Sequence, residues 1–137
     1  MKFVFYKEVI EDAKMIRQKV FVEEQGFENE FDDIDQRSLH LVVYQDNEPI
    51  GCARMYPERE NMILGRIAVL KEYRALHIGS DILHVLELKA KELNYQTVCL
   101  SAQVRAKSFY QKNGYINFGE ESLDEYWPHV YMKKKIA

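Results

Sequence analysis

The stretch of sequence that decides the fold is LGRIAVLKEYRALHIGS, residues 64–80. It opens with an apolar run rich in strand-forming residues, and from Ile78 the apolar residues recur at helical spacing. A strand that enters a long helix through a short turn brings backbone N–H groups and the positive end of the helix dipole together. Such a junction suits a phosphate or pyrophosphate. Gly79 would allow close ligand approach, although an ordinary loop with a packing glycine is the alternative.

The remaining pattern predicts a mixed α/β sheet. The β-rich runs on either side of residues 46–49 predict a hairpin, because Asp-Asn-Glu-Pro is a turn signal. A right-handed crossover through the long helix should place its two flanking strands in parallel. The predicted strands are 2–8, 39–45, 50–56, 62–70, 96–101, 115–119 and 128–135, and the predicted helices are 10–25, 77–94 and 104–113.

Length and composition favour one domain, residues 1–137, with 47% apolar residues and with no repeat or linker. No apolar run approaches the length of a membrane span, and the apolar run in the first residues is too short for a signal peptide. We therefore expect a soluble, cytoplasmic protein. Cys52 and Cys99 lie far apart in apolar runs, which is typical of buried thiols. His77 and His84 lack further ligands at helical spacing, so we expect no metal.

Charge is unevenly distributed along the chain. The net charge is -3, but residues 23–35 hold seven acidic residues and no basic one. No cluster of Lys and Arg suggests a nucleic-acid surface, so we expect no nucleic-acid partner. The acidic segment is either a solvated loop or a rim that attracts a cationic ligand.

Two motifs resemble those of the GNAT family of acetyl-CoA-dependent N-acetyltransferases. Residues 74–79, RALHIG, resemble the family's pyrophosphate loop, Arg/Gln-x-x-Gly-x-Gly/Ala, with His77 in place of the first glycine. The family's later Ala-x-x-Phe-Tyr-x-x-x-Gly-Phe motif is matched from residue 106 to residue 115, with Tyr115 for the last Phe. The order of elements is similar over the whole chain.

The N-terminal half is similar to the ElaA/YjcF-like branch of that family. Residues 16–26, IRQKVFVEEQG, resemble the branch signature Arg-x-x-Val-Phe-Val-x-Glu-Gln. The acidic residues 32–35 with the later His40, and the Pro-His-x-x-Met at residues 128–132, also fit the branch. This resemblance implies a central, twisted, mostly antiparallel sheet flanked by helices, with one parallel pair formed by the strands before and after the long helix.

The resemblance also implies acetyl-CoA as cosubstrate. Its pantetheine arm would pair with backbone groups of strand 62–70, and its pyrophosphate would lie on the loop at residues 74–80. The implied cofactor-binding residues are Ile67, Ala68, Val69, Arg74, Ala75, Leu76, His77, Ile78, Gly79, Ser80 and Lys107.

Tyr110 is the implied catalytic residue. A phenol, with a pKa near ~10, is protonated at neutral pH and can donate a proton to a departing thiolate. The alternative is an aromatic core contact. Because an alkyl amine is mostly protonated at neutral pH, a base or a site that favours neutral amine is also needed. The candidates for the base or acceptor site, among which the sequence does not choose, are Glu23, Glu24, Asp35, His40 and His129.

Three functions compete at this stage. The first is an N-acetyltransferase acting on a primary amine of a small molecule or of a protein or peptide, with the acidic segment favouring a cationic acceptor. The second is a catalytically silent acyl-CoA-binding domain, and the third is a protein-interaction domain without CoA. A β-bulge that splays strand 62–70 from strand 96–101 would favour the first two, and a continuous ladder would favour the third. A homodimer is a guess from its frequency among such proteins.

Overall fold

A computed structural model describes residues 1–27, 31–119, 122–124 and 127–137. The strands are β1 (Lys2–Tyr6), β2 (Leu39–Gln45), β3 (Glu48–Glu58), β4 (Asn61–Val69), β5 (Thr97–Gln103), β6 (Ile116–Asn117), β7 (Ser122–Asp124) and β8 (Trp127–Lys135). The α-helices are α1 (Glu11–Arg17), α2 (Ile78–Glu92) and α3 (Lys107–Lys112). Shorter helical segments are a π-helical one at Gln18–Glu24 and 3₁₀ turns at Asp33–Arg37, Lys71–Tyr73 and Val104–Ala106.

The strands form one sheet in the order β1-β2-β3-β4-β5-β8-β6, with β7 against β8. Every recorded pairing is antiparallel except that of β4 with β5, which is parallel. The predicted mixed sheet and its parallel crossover pair are therefore confirmed. Helix α2 makes the crossover because its apolar stripe must be buried against the sheet.

The predicted hairpin is correct, but its turn is shorter than predicted. Asp46 and Asn47 form the turn with φ of 52° and 67°, which suits a two-residue turn of the kind that matches strand twist. Glu48 and Pro49 already pair with β2, at the start of β3. Short β7 was not predicted.

The core lies on both faces of the sheet. On one face, α2 buries Ile82, Leu83 and Leu86 completely against apolar residues of the central strands. On the other face, α1 buries Ala13 and Ile16 against a second apolar cluster. The described part of the chain contains no helix that is long and apolar enough to cross a bilayer.

Strands β4 and β5 separate after a short parallel ladder. Their pairing covers only residues 62–64 of β4, ending at Leu64 opposite Leu100. Further along, Arg54 of β3 lies opposite Gly65, but the next recorded pair is Cys52 opposite Ala68. One β3 residue between these pairs therefore faces two residues of β4. This is a β-bulge, and Arg66 within it has a left-handed φ of 49°. The bulge turns β4 away from β5 and opens a V between them.

The helix predicted over residues 10–25 is correct in extent but changes character at its middle. Regular α-helix gives way to wider π-helical turns after Arg17, and Gly26, with φ of 79°, follows the last turn. A π turn shifts the register of the side chains by about one residue. As a result, Val20 remains in the core while Phe21 is only partly buried.

A cluster of arginines and aspartates, in which Arg17, Arg54 and Asp35 are buried, ties the acidic segment to the sheet. Arg17 makes two hydrogen bonds to Asp35, at 2.9 and 3.1 Å. Arg54 of β3 bridges Asp35 at 2.9 Å and Asp32 at 2.7 Å, and Arg66 of the bulge reaches Asp32 at 3.3 Å. Burial raises the pKa of Asp35, but the hydrogen bonds and charges of the two arginines outweigh burial and hold it below its usual value.

Replacing Asp35 should destabilise the fold strongly. Asp35→Ala leaves Arg17, which is 1% exposed, without a bidentate partner. We expect a loss of about 3–5 kcal/mol in the free energy of unfolding, measured by urea denaturation. Because the folded pKa lies below the unfolded value, this stabilisation is present above about pH 4 and decreases as the pH falls. Exposed Asp33 provides the control, and an equal effect of Asp33→Ala and Asp35→Ala would contradict the assignment.

Candidate active site

The V between β4 and β5 forms a cleft of about 620 Å³. The π-helical segment and its continuation close one side, β3 and β4 form the floor, and β5, the start of α3 and β8 form the other side. The lining residues are Phe21, Gln25, Phe27, Arg54, Tyr56, Ile63, Leu64, Gly65, Arg66, Ile67, Arg74, Leu100, Ser101, Gln103, Arg105, Ala106, Tyr110 and His129.

The edge of β4 that faces β5 is the most distinctive feature of the cleft. Beyond Leu64 no recorded strand pairing covers this edge within the described residues. Backbone N–H and C=O groups at such an edge need partners, and an extended ligand can supply them. Ile67 lines the cleft here, whereas Ala68 is buried towards α1 and Val69 is only partly buried. An extended polar chain can therefore lie along β4 as a substitute for a strand.

The loop before α2 keeps the backbone shape that a glycine would favour. His77 precedes the helix with φ of 61°, and Ala75 has φ of 69°. Helix α2 begins without a side-chain cap, and its first backbone bond joins the Asp81 N–H to the His77 oxygen at 3.1 Å. The N–H groups of residues 78–80 precede that bond and form the positive end of the helix. His77 therefore adopts the left-handed conformation that a glycine takes most readily.

Gly79 has a packing role. A Cβ atom built there would lie 3.1 Å from Cζ of Phe109 on α3. This contact fixes the start of α2 against the helix that carries Tyr110, whose ring lies 5.1 Å from that of Phe109. The position thus joins the loop before α2 to the helix that carries Tyr110.

The Arg74 side chain is bound to the opposite wall of the cleft. Its Nε donates to the Val69 oxygen at 2.9 Å, and its terminal nitrogens bond both Glu24 oxygens at 2.9 and 2.8 Å. The hydrogen bonds from Arg74 hold the pKa of Glu24 below its usual value. Both side chains remain partly exposed, so an incoming phosphate can compete with Glu24 for Arg74.

Tyr110 lies on α3 at the side of the cleft. Its ring packs edge-to-face on Phe109 and on Tyr115, with centroid distances of 5.1 and 5.9 Å. Burial raises the pKa of Tyr110 to about 12. The hydroxyl therefore keeps its proton throughout the neutral and mildly alkaline range and is suited to donate it.

The structure separates the five candidates for a base. His129 lines the cleft, and its ring meets Phe27 edge-to-face at 6.5 Å. Asp35 belongs to the buried ionic cluster, and the His40 Nε2 donates to the backbone oxygen of Asp35 at 2.9 Å, away from the lining. Burial lowers the pKa of His40. Glu24 is paired with Arg74 and Glu23 is exposed outside the lining, so His129 alone of this described set faces the cleft.

The acidic segment does not form a rim around the cleft in the described residues. Asp32, Asp35 and Glu24 are paired with arginines, and none of them lines the cleft. Residues 28–30, which hold two of the seven acids, lie outside the described residues. Lys107, at the start of α3, is partly buried and is not part of the lining.

Sequence reasoning missed several lining residues. Arg54 lies within the apolar run GCARMY of β3, where a buried charge is unusual, and this was the one available signal. Gln103 is the last residue of β5 and Arg105 lies in the 3₁₀ turn after it, and Gln103 donates to Gln25 across the cleft at 2.8 Å. That bond joins two distant segments, which no local pattern could indicate.

A second cleft of about 640 Å³ continues from the first. It shares Tyr56, Ile63, Leu100 and Ser101 with the first cleft and adds Phe118 and Tyr131. These aromatic side chains are partly exposed to solvent. A ligand that enters the first cleft can therefore extend an apolar portion along this face.

No group of three or more His, Cys, Asp or Glu side chains that could hold a metal occurs in the part of the chain that the structure describes. Cys52 and Cys99 are both buried free thiols.

Comparison with known proteins agrees with this architecture. The family model described as "Acetyltransferase (GNAT) domain" matches residues 7–136, so the chain belongs to the GNAT acetyltransferase family. The Bacillus subtilis protein YjcF, described as an uncharacterized N-acetyltransferase, is 38% identical over 98% of this chain and 99% of its own length.

Solved structures show the same fold. A Lactobacillus plantarum protein, solved as a candidate N-acetyltransferase, has a TM-score of 0.90 with 28% identity, covering 99% of this chain and 98% of its own. Escherichia coli ElaA has a TM-score of 0.85 with 22% identity, covering 98% and 99%. The resemblance to the ElaA/YjcF-like branch and the predicted fold class are therefore confirmed.

A glycine at position 77 should be tolerated. His77→Gly removes the cost of a left-handed conformation, which is about 1–2 kcal/mol for a residue with a side chain. It also raises the conformational entropy of the unfolded chain, which opposes that gain. We expect the free energy of unfolding to stay unchanged or to rise by up to about 1 kcal/mol in urea titrations. The matched change His84→Gly, at an exposed right-handed position of α2, should instead destabilise by about 0.5 kcal/mol. A larger loss at residue 77 than at residue 84 would contradict the loop geometry.

Proposed function

We propose that this protein is an N-acetyltransferase that moves the acetyl group of acetyl-CoA to a primary amine within a ternary complex. The observation that carries the proposal is the open edge of β4 beyond Leu64, with Tyr110 beside it in the same cleft. Membership in the GNAT family supports this chemistry. The bulge and the splay of β4 from β5 favour a CoA-binding cleft over the interaction-domain alternative.

The residues present suit acetyl-CoA. The edge of β4 beyond Leu64, which no recorded strand pairing covers within the described residues, can pair with the two amides of a pantetheine arm around Ile67 and Val69 once Arg74 releases the Val69 oxygen. The uncapped start of α2, with the N–H groups of residues 78–80, suits its pyrophosphate, and Arg74 and Lys107 add positive charge nearby. When bound, acetyl-CoA supplies an activated thioester carbonyl.

Within this cleft, the chain supplies positioning and proton transfer. Holding the amine against the thioester accounts for much of the rate of such a reaction. Tyr110 is the proposed acid, because its hydroxyl keeps its proton at neutral pH and can donate it to a thiolate sulfur. His129 is the proposed proton acceptor for the amine, since it shares the cleft with Tyr110. Asp35 and His40 are assigned a structural role in the ionic cluster.

A catalytically silent acyl-CoA-binding domain has the same fold and differs only in turnover. The two are distinguished by measuring cofactor binding and thiol release separately. Binding without thiol release for any amine would favour the silent domain, and absence of both would favour the interaction domain.

Replacing Arg74 should weaken cofactor binding. Arg74→Ala removes a charge-assisted phosphate contact, so we expect the Kd for acetyl-CoA to rise about tenfold in calorimetry. Glu24→Gln removes the competing carboxylate, so its Kd should stay unchanged or fall. Lys91→Ala, at an exposed position of α2 outside both clefts, is the charge-matched control. Equal Kd values for the Arg74 and Lys91 variants would contradict the loop assignment.

Removing the Tyr110 hydroxyl should slow turnover and leave cofactor binding intact. For Tyr110→Phe we expect kcat to fall by about 10²-fold, in the range of general acid catalysis, with the Kd for CoA unchanged. Because the pKa of Tyr110 is raised to about 12, its protonation should not limit the rate of the native protein below about pH 10. Rates are measured by thiol release across the pH range.

Tyr115→Phe is the matched control for Tyr110. The Tyr115 hydroxyl donates to Glu87 at 2.7 Å, and the residue does not line the cleft. This variant should lose stability by about 1 kcal/mol and keep its kcat. A similar kcat loss in both variants would show that the tyrosines act by packing.

A further inference from the structure

The described side chains that line the first cleft carry an uneven set of charges. Four of them are arginines, and none is an aspartate or glutamate: the arginines are Arg54, Arg66, Arg74 and Arg105. A cleft with low-dielectric walls and charge of one sign raises the local concentration of ligands of the opposite sign. This set of charges favours an anionic group on the bound molecule.

The balancing carboxylates lie behind the arginines. Asp32 and Asp35 bond Arg54, but neither aspartate lines the cleft. The whole cluster contains three guanidinium groups, including Arg17 and Arg66, against two carboxylates, so its net charge is +1. The lowered pKa values of both aspartates, which arise because arginine contacts outweigh burial, keep them ionised at neutral pH. The cluster thus presents positive charge to the cleft.

Arg54 has unused hydrogen-bonding capacity. It is 4% exposed, and its buried Nε has no hydrogen-bond partner. That nitrogen lies 3.7 Å from the position of a Cβ built on Gly65, at the bulge in the cleft floor. An oxygen-rich ligand group close to Gly65 would be attracted to this donor after a small shift of the side chain.

The position of Arg54 and Arg66 separates them from the cofactor loop. Arg54 lies on β3, the neighbour of β4 on the side opposite to β5, and Arg66 lies in the bulge of β4. The proposed pyrophosphate site lies further along the chain, after the end of β4. They share the α1 side of the sheet with the aromatic residues Phe21, Phe27 and Tyr56. This side is the one left for the acceptor once an extended cofactor lies along β4.

We infer that the acceptor is a primary amine that also carries a carboxylate, with the carboxylate held by Arg66 and Arg54 and an apolar body against the aromatic wall. This inference rests on the proposed acetyl transfer and names its substrate class. It replaces the cationic acceptor expected from the acidic segment, because Glu24, Asp32 and Asp35 are paired with arginines and no described acid of that segment lines the cleft.

The test compares two probes that differ only in charge. 4-(Aminomethyl)benzoate and 4-(aminomethyl)benzamide have the same ring and amine, and their substituent is remote from that amine. Calorimetry on the protein saturated with CoA should give a Kd about tenfold lower for the benzoate, as expected for a charge-assisted contact. With acetyl-CoA, thiol release should give the same order in kcat/KM.

Variants of Arg66 identify the group responsible. Arg66→Gln should reduce the benzoate preference to less than about threefold while leaving the Kd for CoA unchanged. Arg66→Lys keeps the charge and should keep most of the preference, and Lys91→Gln, at an exposed position of α2 outside both clefts, should keep all of it. If Arg66→Gln does not fold, the preference of the native protein should still shrink as NaCl rises from about 50 to 500 mM.

Four results would overturn the inference: equal or tighter binding of the benzamide, no binding of either probe at 10 mM, a preference that is insensitive to salt, or an Arg66→Gln variant that loses only CoA affinity. Turnover that prefers the benzamide would overturn the substrate class and leave acetyl transfer standing. Tighter binding of the benzoate without thiol release from any amine would support the anion site and contradict the proposed function.

Discussion

The separation of β4 from β5 is the constraint on which the rest of the structure depends. β4 keeps its antiparallel partner β3 on one side through a bulge, while its parallel partner is lost beyond Leu64. A sheet interior that opens in this way leaves backbone groups unpaired, which is costly unless a ligand or water satisfies them. The cleft is therefore built from backbone as much as from side chains, and its position follows from where the bulge occurs.

The ionic cluster fixes that position. Arg66 takes up the left-handed backbone of the bulge, and its side chain reaches Asp32, which Arg54 also holds. The same aspartate caps its own 3₁₀ turn by accepting from the Ile34 N–H at 3.2 Å. One segment therefore supports both the cleft floor and its charge. A buried ion pair often contributes no more stability than well-packed apolar side chains of similar volume, so the buried charge of this cluster agrees with the proposed role in ligand recognition.

Two further contacts join the parts of the cleft that lie far apart in sequence. Gly79 lets the start of α2 pack directly on Phe109, which joins the loop before α2 to the helix that carries Tyr110. Arg74 and Glu24 link the same loop to the π-helical segment on the proposed acceptor side. A phosphate that draws Arg74 away from Glu24 would remove this link to the segment that carries Phe21. The proposed cofactor and acceptor sites are thus joined through one ion pair.

The sequence by itself determined the order of elements, the parallel crossover pair, the loop before α2 and the family, because periodicity and short motifs are local properties. Sequence motifs nominated Tyr110 and His129 as candidates, but they did not predict that both residues line the same cleft. Tertiary structure alone decided that Asp35 and His40 are buried supports, that Gly79 serves packing, and that Arg54 and Arg66 face the cleft. Those outcomes depend on which segments of the chain meet in the folded state, and charge patterning along the chain does not show whether an acid is paired or free.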